Sequence, residues 1–426
     1  MRKMRDSGIA WIGVIPQDWE IVRTKSLYCS AKEIAGDRAD DFERLALTLN
    51  GVIKRSKEDS VGLQPEKFSG YQILKKGELV FKLIDLENVA TSRVGLSPYT
   101  GIVSPAYIVL SKQSRAKDLV VRYSMYHFLS MWQREIFNQM GDNGVRSSLN
   151  AKELLNIPHP FPSIYEQKRI VTFLDAQCAE IDAVLEKTHA SIEEYKKLKQ
   201  AVITQAVTKG IRGDRPMKDS GIEWIGDIPA EWDVLNLVAH TSMLTPMRDR
   251  PENLDGPIPW VRIEDFEGKY IESSKAGLGV SMKTVKEMNL KVYPVGTILC
   301  TSSCIMGKCA IVSRELVSNQ RFIGIIPDRT TDKTYLYYLM TSNAERMNFL
   351  STGALQANLS RSAFEHLKVQ FPPYSEQQEI AAYLDDKCEK IDELILKKQQ
   401  YLTEIGNYKK SLIYEYVTGK KEVHPL

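Results

Sequence analysis

The chain has 426 residues, 43% hydrophobic and 26% charged, with 57 Lys and Arg against 54 Asp and Glu. That balance excludes a mainly disordered polymer, and the length exceeds what one core ordinarily serves, so two or three domains are expected. No run of 18 apolar residues occurs, the start lacks an apolar signal-type segment, and six scattered cysteines make no disulfide framework; the expectation is a cytoplasmic protein.

The first element in chain order is a lead-in motif, Met4-Arg-Asp-Ser-Gly-Ile-Ala-Trp-Ile-Gly-Val-Ile-Pro-Gln-Asp-Trp19. It returns as Met217–Trp232 with 11 of 16 positions identical, at an offset of 213. A second set recurs at an offset of 210: Phe161-Pro162, Glu166-Gln167, Ile170, Leu174-Asp175, Cys178 and Ile181-Asp182 reappear as Phe371-Pro372, Glu376-Gln377, Ile380, Leu384-Asp385, Cys388 and Ile391-Asp392. Nearly equal offsets identify a duplicated half-length unit.

Residues 21–150 and 235–360, which lie between these matches, do not resemble each other. Strand signals occur at Gly77–Ile84, Gly101–Leu110 and Tyr293–Cys300, and helical signals at Lys117–Asn138 and Lys333–Leu350. Each region is expected to be an α+β domain. The first carries 19 Lys and Arg against 14 Asp and Glu, the second 14 against 12, a small surplus that an ordinary solvated surface also shows. Each ends in a polar turn, Gly141–Asn150 and Gly353–Arg361, where Arg146, Ser147, Gln356, Asn358 and Arg361 offer donors to phosphates or base edges; a loop capping the next helix fits as well.

After Pro158–Pro162 and Pro372–Pro373 come two long helices. Leu174, Cys178, Ile181, Leu185, Ile192, Tyr195 and Val202 follow spacings that suit a heptad seam. Leu384, Cys388, Ile391, Ile395, Leu402, Ile405 and Leu412 do the same in the second copy. Lys199 and Lys409 should reach the seam's edge, and Ser163 and Ser375 should be N-caps. Helices of about 45 residues span roughly 65–70 Å and need a partner along their length. The expected fold class is therefore α+β: two α/β domains separated by a pair of long helices forming an antiparallel coiled coil, with a pseudo-twofold internal repeat. Two amphipathic helices each packed on its own domain is the alternative. Expected boundaries are 1–157 for the lead-in motif and first variable domain, 158–212 for the first spacer helix, 213–367 for the second lead-in and variable domain, and 368–426 for the second spacer helix.

Catalytic signatures are missing. Phe371-Pro-Pro-Tyr374 resembles the Asn/Asp-Pro-Pro-Tyr box of amino-methyltransferases, but phenylalanine cannot accept hydrogen bonds from a target amine. Ser302–Cys309 ends like a phosphate loop without its leading glycine, and Cys300, Cys304 and Cys309 lack a CxxC pair. No catalytic or metal-binding residues are expected.

The doubled Asp-Ser-Gly-Ile-x-Trp-Ile-Gly-x-Ile-Pro-x-x-Trp motif, the turn ending Asn358-Leu-Ser360, and the doubled Phe-Pro…Glu-Gln…Ile…Leu-Asp helix start carry a family resemblance. The chain resembles the DNA-specificity (S) subunits of type I restriction–modification systems, the HsdS family. The copy at Ser148-Leu-Asn150 departs from Asn-Leu-Ser. Ile258–Arg262 and Gly296–Lys308 also look like segments of target recognition domains. The resemblance implies two target recognition domains, each reading half of a bipartite, asymmetric double-stranded DNA sequence. Lys82, Arg93, Arg146, Ser147, Asn150, Arg262, Ser302, Lys308, Arg321, Gln356, Asn358, Ser360 and Arg361 are the candidate contacts. It further implies that the spacer helices set the gap and dock two methyltransferase (M) subunits. Those would bind S-adenosylmethionine and methylate adenine N6, while restriction (R) subunits would use ATP and Mg. This chain itself would hold no cofactor. A coiled-coil adaptor with two protein-binding domains is the alternative, and a stand-alone modifying enzyme a third.

Overall fold

The computed structural model describes residues 2–49, 51–59, 67–84, 86, 93–140, 148–246, 250–303, 306–351 and 359–423. The chain divides into two compact units: unit 1 is Met1–His189 with Gln400–Leu426, and unit 2 is Ala190–Gln399. The long helices, Ile164–Lys209 and Tyr374–Val417, each contribute a segment to either unit. Among the described residues no helix is long and apolar enough to cross a membrane.

The lead-in motif of each unit is a hairpin. In unit 1, Met4–Asp6 pairs antiparallel with Val14–Pro16. Asp6 Oδ1 accepts from Gly8 N at 3.0 Å, and Ser7 N donates to Gly13 O at 3.1 Å. Gly8 and Gly13 have φ of 69° and 71°, where an L side chain is strained. In unit 2, Met217–Asp219 pairs with Asp227–Pro229, Gly221 N donates to Asp219 Oδ1 at 2.9 Å, and Ser220 N to Gly226 O at 3.2 Å. The recurrent Asp-Ser-Gly-Ile is thus turn chemistry.

The tryptophan that closes the motif is buried in both units, and its indole needs an acceptor. Trp19 Nε1 donates to Glu166 at 2.9 Å and Trp232 Nε1 to Glu376 at 3.0 Å. Arg2 pairs with Glu166 and Asp18, and Arg215 with Glu376 and Glu231. The hydrogen bond to Glu166 holds the Arg2 guanidinium above its ordinary pKa.

The variable region of unit 1 holds two four-stranded sheets. One runs Gly51–Arg55, Arg44–Thr48, Gly101–Val103, Gln72–Leu74; the other runs Tyr28–Cys29, Ile108–Lys112, Leu79–Lys82, Arg93–Leu96. Leu79, Phe81, Leu110 and Phe128 pack in its core. The single strand expected over Gly101–Leu110 is two, because Ser104-Pro105 turns the chain and Tyr107 N bonds Ser104 O. The helix expected over Lys117–Asn138 covers Val121–Gln133 and stops before Glu135, at φ 57°.

Unit 2 holds a five-stranded sheet, Thr241–Leu244, Phe322–Pro327, Ile298–Thr301, Cys309–Val312, Tyr270–Ile271, and a three-stranded one, Gly279–Val280, Ile258–Val261, Val317–Ser318. Of the strand expected over Tyr293–Cys300, the end is a strand and Tyr293 makes an isolated bridge to Leu316, with the two separated by a turn at Pro294–Gly296, where Gly296 has φ 90°. The helix expected over Lys333–Leu350 breaks into Lys333–Ser342 and Ala344–Leu350. At the break, Asn343 Nδ2 donates to Leu339 O at 2.8 Å, a local bond of the kind that competes with helix continuation.

The doubled Glu-Gln and Leu-Asp pairs tie each variable region to a long helix. Gln167 Oε1 accepts from Val120 N at 2.8 Å, ahead of the Val121–Gln133 helix, and Gln377 Oε1 from Asp332 N at 2.8 Å, ahead of the Lys333–Ser342 helix. Tyr126 OH donates to Asp175 at 2.6 Å, Tyr338 OH to Asp385 at 2.7 Å. Tyr123 OH reaches Pro160 O and Val417 O, and Tyr335 OH reaches Gln370 O.

Within each unit the two helix segments run antiparallel. In unit 1, Lys409 meets Asp182 at 2.5 Å while the rings of Tyr416 and Phe173 lie 4.4 Å apart. In unit 2, Lys199 meets Asp392 at 2.6 Å and Lys398 lies 5.6 Å from the Tyr195 ring. The two lysines therefore make ion pairs across the seam. Leu174, Cys178, Ile181, Ile192, Leu384, Cys388, Ile391 and Leu412 are buried; Leu185, Tyr195, Val202, Ile395, Leu402 and Ile405 are half-buried. Burial raises the pKa of the Cys178 and Cys388 thiols, as for small apolar core residues. Ser163 Oγ accepts from Glu166 N at 3.3 Å and caps its helix. Ser375 does not: it lies inside a helix that starts at Tyr374, where Pro373 O receives Glu376 N and Gln377 N. Proline stands in the second copy where the first has its capping serine.

Candidate nucleic-acid interface

In unit 1 the candidate contacts gather at the end of one hairpin. Leu79–Lys82 pairs with Arg93–Leu96 and sets Lys82, half-buried, opposite Arg93. The next residue, Leu83, accepts from Leu149 N at 3.0 Å, which brings the end of the polar turn against the hairpin. Asn150 then starts the helix Ala151–Asn156 through a reciprocal cap: Glu153 N donates to Asn150 Oδ1 at 3.0 Å and Asn150 N to Glu153 Oε2 at 2.8 Å. Arg146 and Ser147 lie outside the described residues.

Unit 2 uses the same bond with unrelated sequence. Leu359 N donates to Ser302 O at 2.9 Å, at the end of the hairpin formed by Ile298–Thr301 and Cys309–Val312. Ser302, itself buried, donates its N–H to Arg321 O at 2.8 Å, and Arg321 is exposed. The exposed Lys308 reaches Ile263 O at 3.5 Å, beside Arg262, whose guanidinium meets Glu264 at 3.1 Å. Ser360 Oγ accepts from Ala363 N at 3.2 Å and caps Arg361–Glu365, in which Arg361 pairs with Glu365 at 2.7 Å. Ser302 is thus bonded to Arg321 and to the neighbour of Ser360, and Thr301 N, which donates to Lys308 O, joins them to Lys308 and so to the neighbour of Arg262. Gln356 and Asn358 lie outside the described residues.

The arrangement presents cationic and donor groups where two turns meet on a hairpin end, chemistry suited to phosphates and base edges. The side-chain oxygens of Asn150 and Ser360 are already engaged as helix caps, so the capping alternative describes both. Sequence reasoning missed Asp265, a buried carboxylate that accepts from Arg262 N at 2.6 Å and Lys275 N at 2.9 Å and pins the turn carrying Arg262. It also missed the tyrosine anchors, although Tyr123 and Tyr126 share their spacing with Tyr335 and Tyr338. Cys300 and Cys309 face each other across strands, and Cys304 lies outside the described residues. Among the described residues no group of three or more His, Cys, Asp or Glu is placed to hold a metal ion.

Residues 233–404 match the family model described as type I restriction modification DNA specificity domain. The type I restriction enzyme MjaIX specificity subunit of Methanocaldococcus jannaschii is 36% identical over 176 residues, 39% of this chain and 40% of that protein. The putative type I restriction enzyme MjaX specificity subunit of the same organism is 24% identical over 97% of this chain and 96% of its own length. In fold, the chain is similar to one in a solved structure concerned with complex assembly and conformational transition of the type I R-M system. The TM-score is 0.72 at 13% identity, covering 96% of this chain and 99% of the other. Residues 233–404 thus match a type I restriction modification DNA specificity domain, and the chain is similar to type I specificity subunits over nearly its whole length.

Proposed function

We propose that this chain is a specificity subunit that addresses a type I complex to DNA without performing chemistry, each variable region reading one half of a split, asymmetric sequence. The paired helices set the gap between half-sites and dock two methyltransferase subunits. S-adenosylmethionine belongs to those partners, and ATP and Mg to restriction subunits. The carrying observation is that two regions of unrelated sequence are held by the same Gln and Tyr–Asp contacts to the long helices, each beside a lead-in motif held by the same Trp–Glu contact. Constant anchoring with divergent outer surfaces is what two readers on one scaffold require; a single active site would not need it.

Helices of 46 and 44 residues are roughly 65–70 Å long, ample for half-sites about one DNA turn, or 34 Å, apart. Inserting one heptad at matching points of both helices lengthens each by about 10 Å, or about three base pairs. The expected result, read by methylome sequencing of a host carrying the complete system, is a longer spacer between unchanged half-sites. An unchanged spacer overturns the ruler. Absence of any split methylated sequence, even with the parent chain, favours a protein-binding adaptor.

A further inference from the structure

Two histidines lie back to back in unit 1. The rings of His127, on the Val121–Gln133 helix, and His159, on the strand Pro158–Phe161, are 4.5 Å apart, and both residues are buried. His159 Nδ1 lies 2.7 Å from Pro160 O and its Nε2 2.9 Å from Ser124 Oγ. One neutral tautomer satisfies both, Nδ1–H donating to the carbonyl and Nε2 accepting from the hydroxyl. His127 faces the Pro158 carbonyl, while its Nε2 is buried with no hydrogen-bond partner among the described residues. The rings of Trp11 and Phe128 cover it at 5.7 and 5.4 Å.

Among the described residues no carboxylate bonds to either ring. The helix contributes Tyr123, whose hydroxyl is committed to the Pro160 and Val417 carbonyls, and the strand at Tyr28 contributes a buried phenol beside Ser124. Beside the lead-in motif Arg134, a cation, is bonded to Trp11 O; from the long helix, Glu166 acts on Tyr123. Burial holds His127 well below its ordinary pKa and His159 down to about 4. In unit 2, the places of Ser124, His127 and His159 are taken by Leu336, Leu339 and Val369, all fully buried. The equivalence is fixed by the matching contacts of Tyr123 and Tyr126 with those of Tyr335 and Tyr338.

We propose that His127 and His159 form an acid-operated opening element in unit 1 that unit 2 lacks. In the opened chain each imidazole titrates near 6.5. Below that pH the open form binds protons that the closed form refuses, so opening gains up to about tenfold per pH unit per histidine; above about pH 7 the effect vanishes. The element that lets go is the Val121–Gln133 helix, which carries the Tyr126–Asp175 anchor. On the DNA-reading function proposed above, acidification would release the first half-site before the second.

Hydrogen exchange of the full chain without DNA tests this independently of DNA reading. Between pH 7.5 and 5.5, after correction for intrinsic exchange rates, opening of 121–133 and 158–161 should rise about a hundredfold. Opening of 333–342 and 368–371 should rise less than about threefold. Installing unit 2's side chains with Ser124→Leu, His127→Leu and His159→Val should abolish the difference. Ring titration of the parent protein by NMR covers the case of a variant that fails to fold: both rings should stay neutral to about pH 5. Equal pH response in the two units, persistence in the triple variant, or folded rings titrating near 6.5 would overturn the proposal.

Discussion

Glu376 is the residue on which most of unit 2's lead-in depends, since its nearly inaccessible carboxylate serves both Trp232 and Arg215. Glu376→Ala should cost about 3–5 kcal/mol in denaturant unfolding, because it leaves a guanidinium that is 10% exposed with only the half-exposed Glu231 as counter-charge and removes the acceptor of the buried Trp232 indole. Glu166→Ala should cost less, as its side chain is 20% exposed and Arg2 keeps Asp18. The repeat made both glutamates visible in the sequence, but not their purpose, because each tryptophan that needs them is more than a hundred residues away. Asn150→Ala and Ser360→Ala should each cost about 1 kcal/mol through lost capping. An unchanged methylated sequence in both variants is expected if capping is their whole role; a relaxed half-site would show that they also read bases.

Elements were legible to the extent that their causes are local. The heptad stripe is periodic, so all fourteen of its positions could be named from sequence, and the structure has them buried or half-buried. Strand limits in the variable regions depend on single turns, such as Ser104-Pro105 and Pro294–Gly296, and on a side-chain bond at Asn343, which no period announces. Along the helices, apolar contacts should outweigh charge. Leu174→Ala or Leu384→Ala should cost about 2–5 kcal/mol, whereas Lys199→Ala or Lys409→Ala, breaking ion pairs with half-exposed aspartates, should cost about 1 kcal/mol or less. Thermal unfolding of the four variants would rank them.

For the molecule as a whole, the duplication was readable because motifs recur at near-constant offset. The equivalence of the two hairpin ends was not, since Leu83 and Ser302 share a backbone bond and no sequence. Unit 1 draws on both ends of the chain. Arg2 pairs with Glu166 and Arg169 donates to Val423 O, one helical turn apart, while Tyr414 OH and Lys420 Nζ both donate to Ile12 O. A permuted chain linked from residue 423 to residue 2 and opened at Gly213-Asp214 should therefore keep the parent's unfolding midpoint and methylated sequence.

The same contacts impose an order on biosynthesis. Unit 2 is a continuous span, complete once Gln399 has left the ribosome, whereas Ile12, Ile15 and Trp19 gain their Leu412, Ile413 and Val417 neighbours only after residue 417 has followed. The half made first is thus finished last, and a chain truncated after Gln399 should already protect the second half from protease while the first stays open to cleavage.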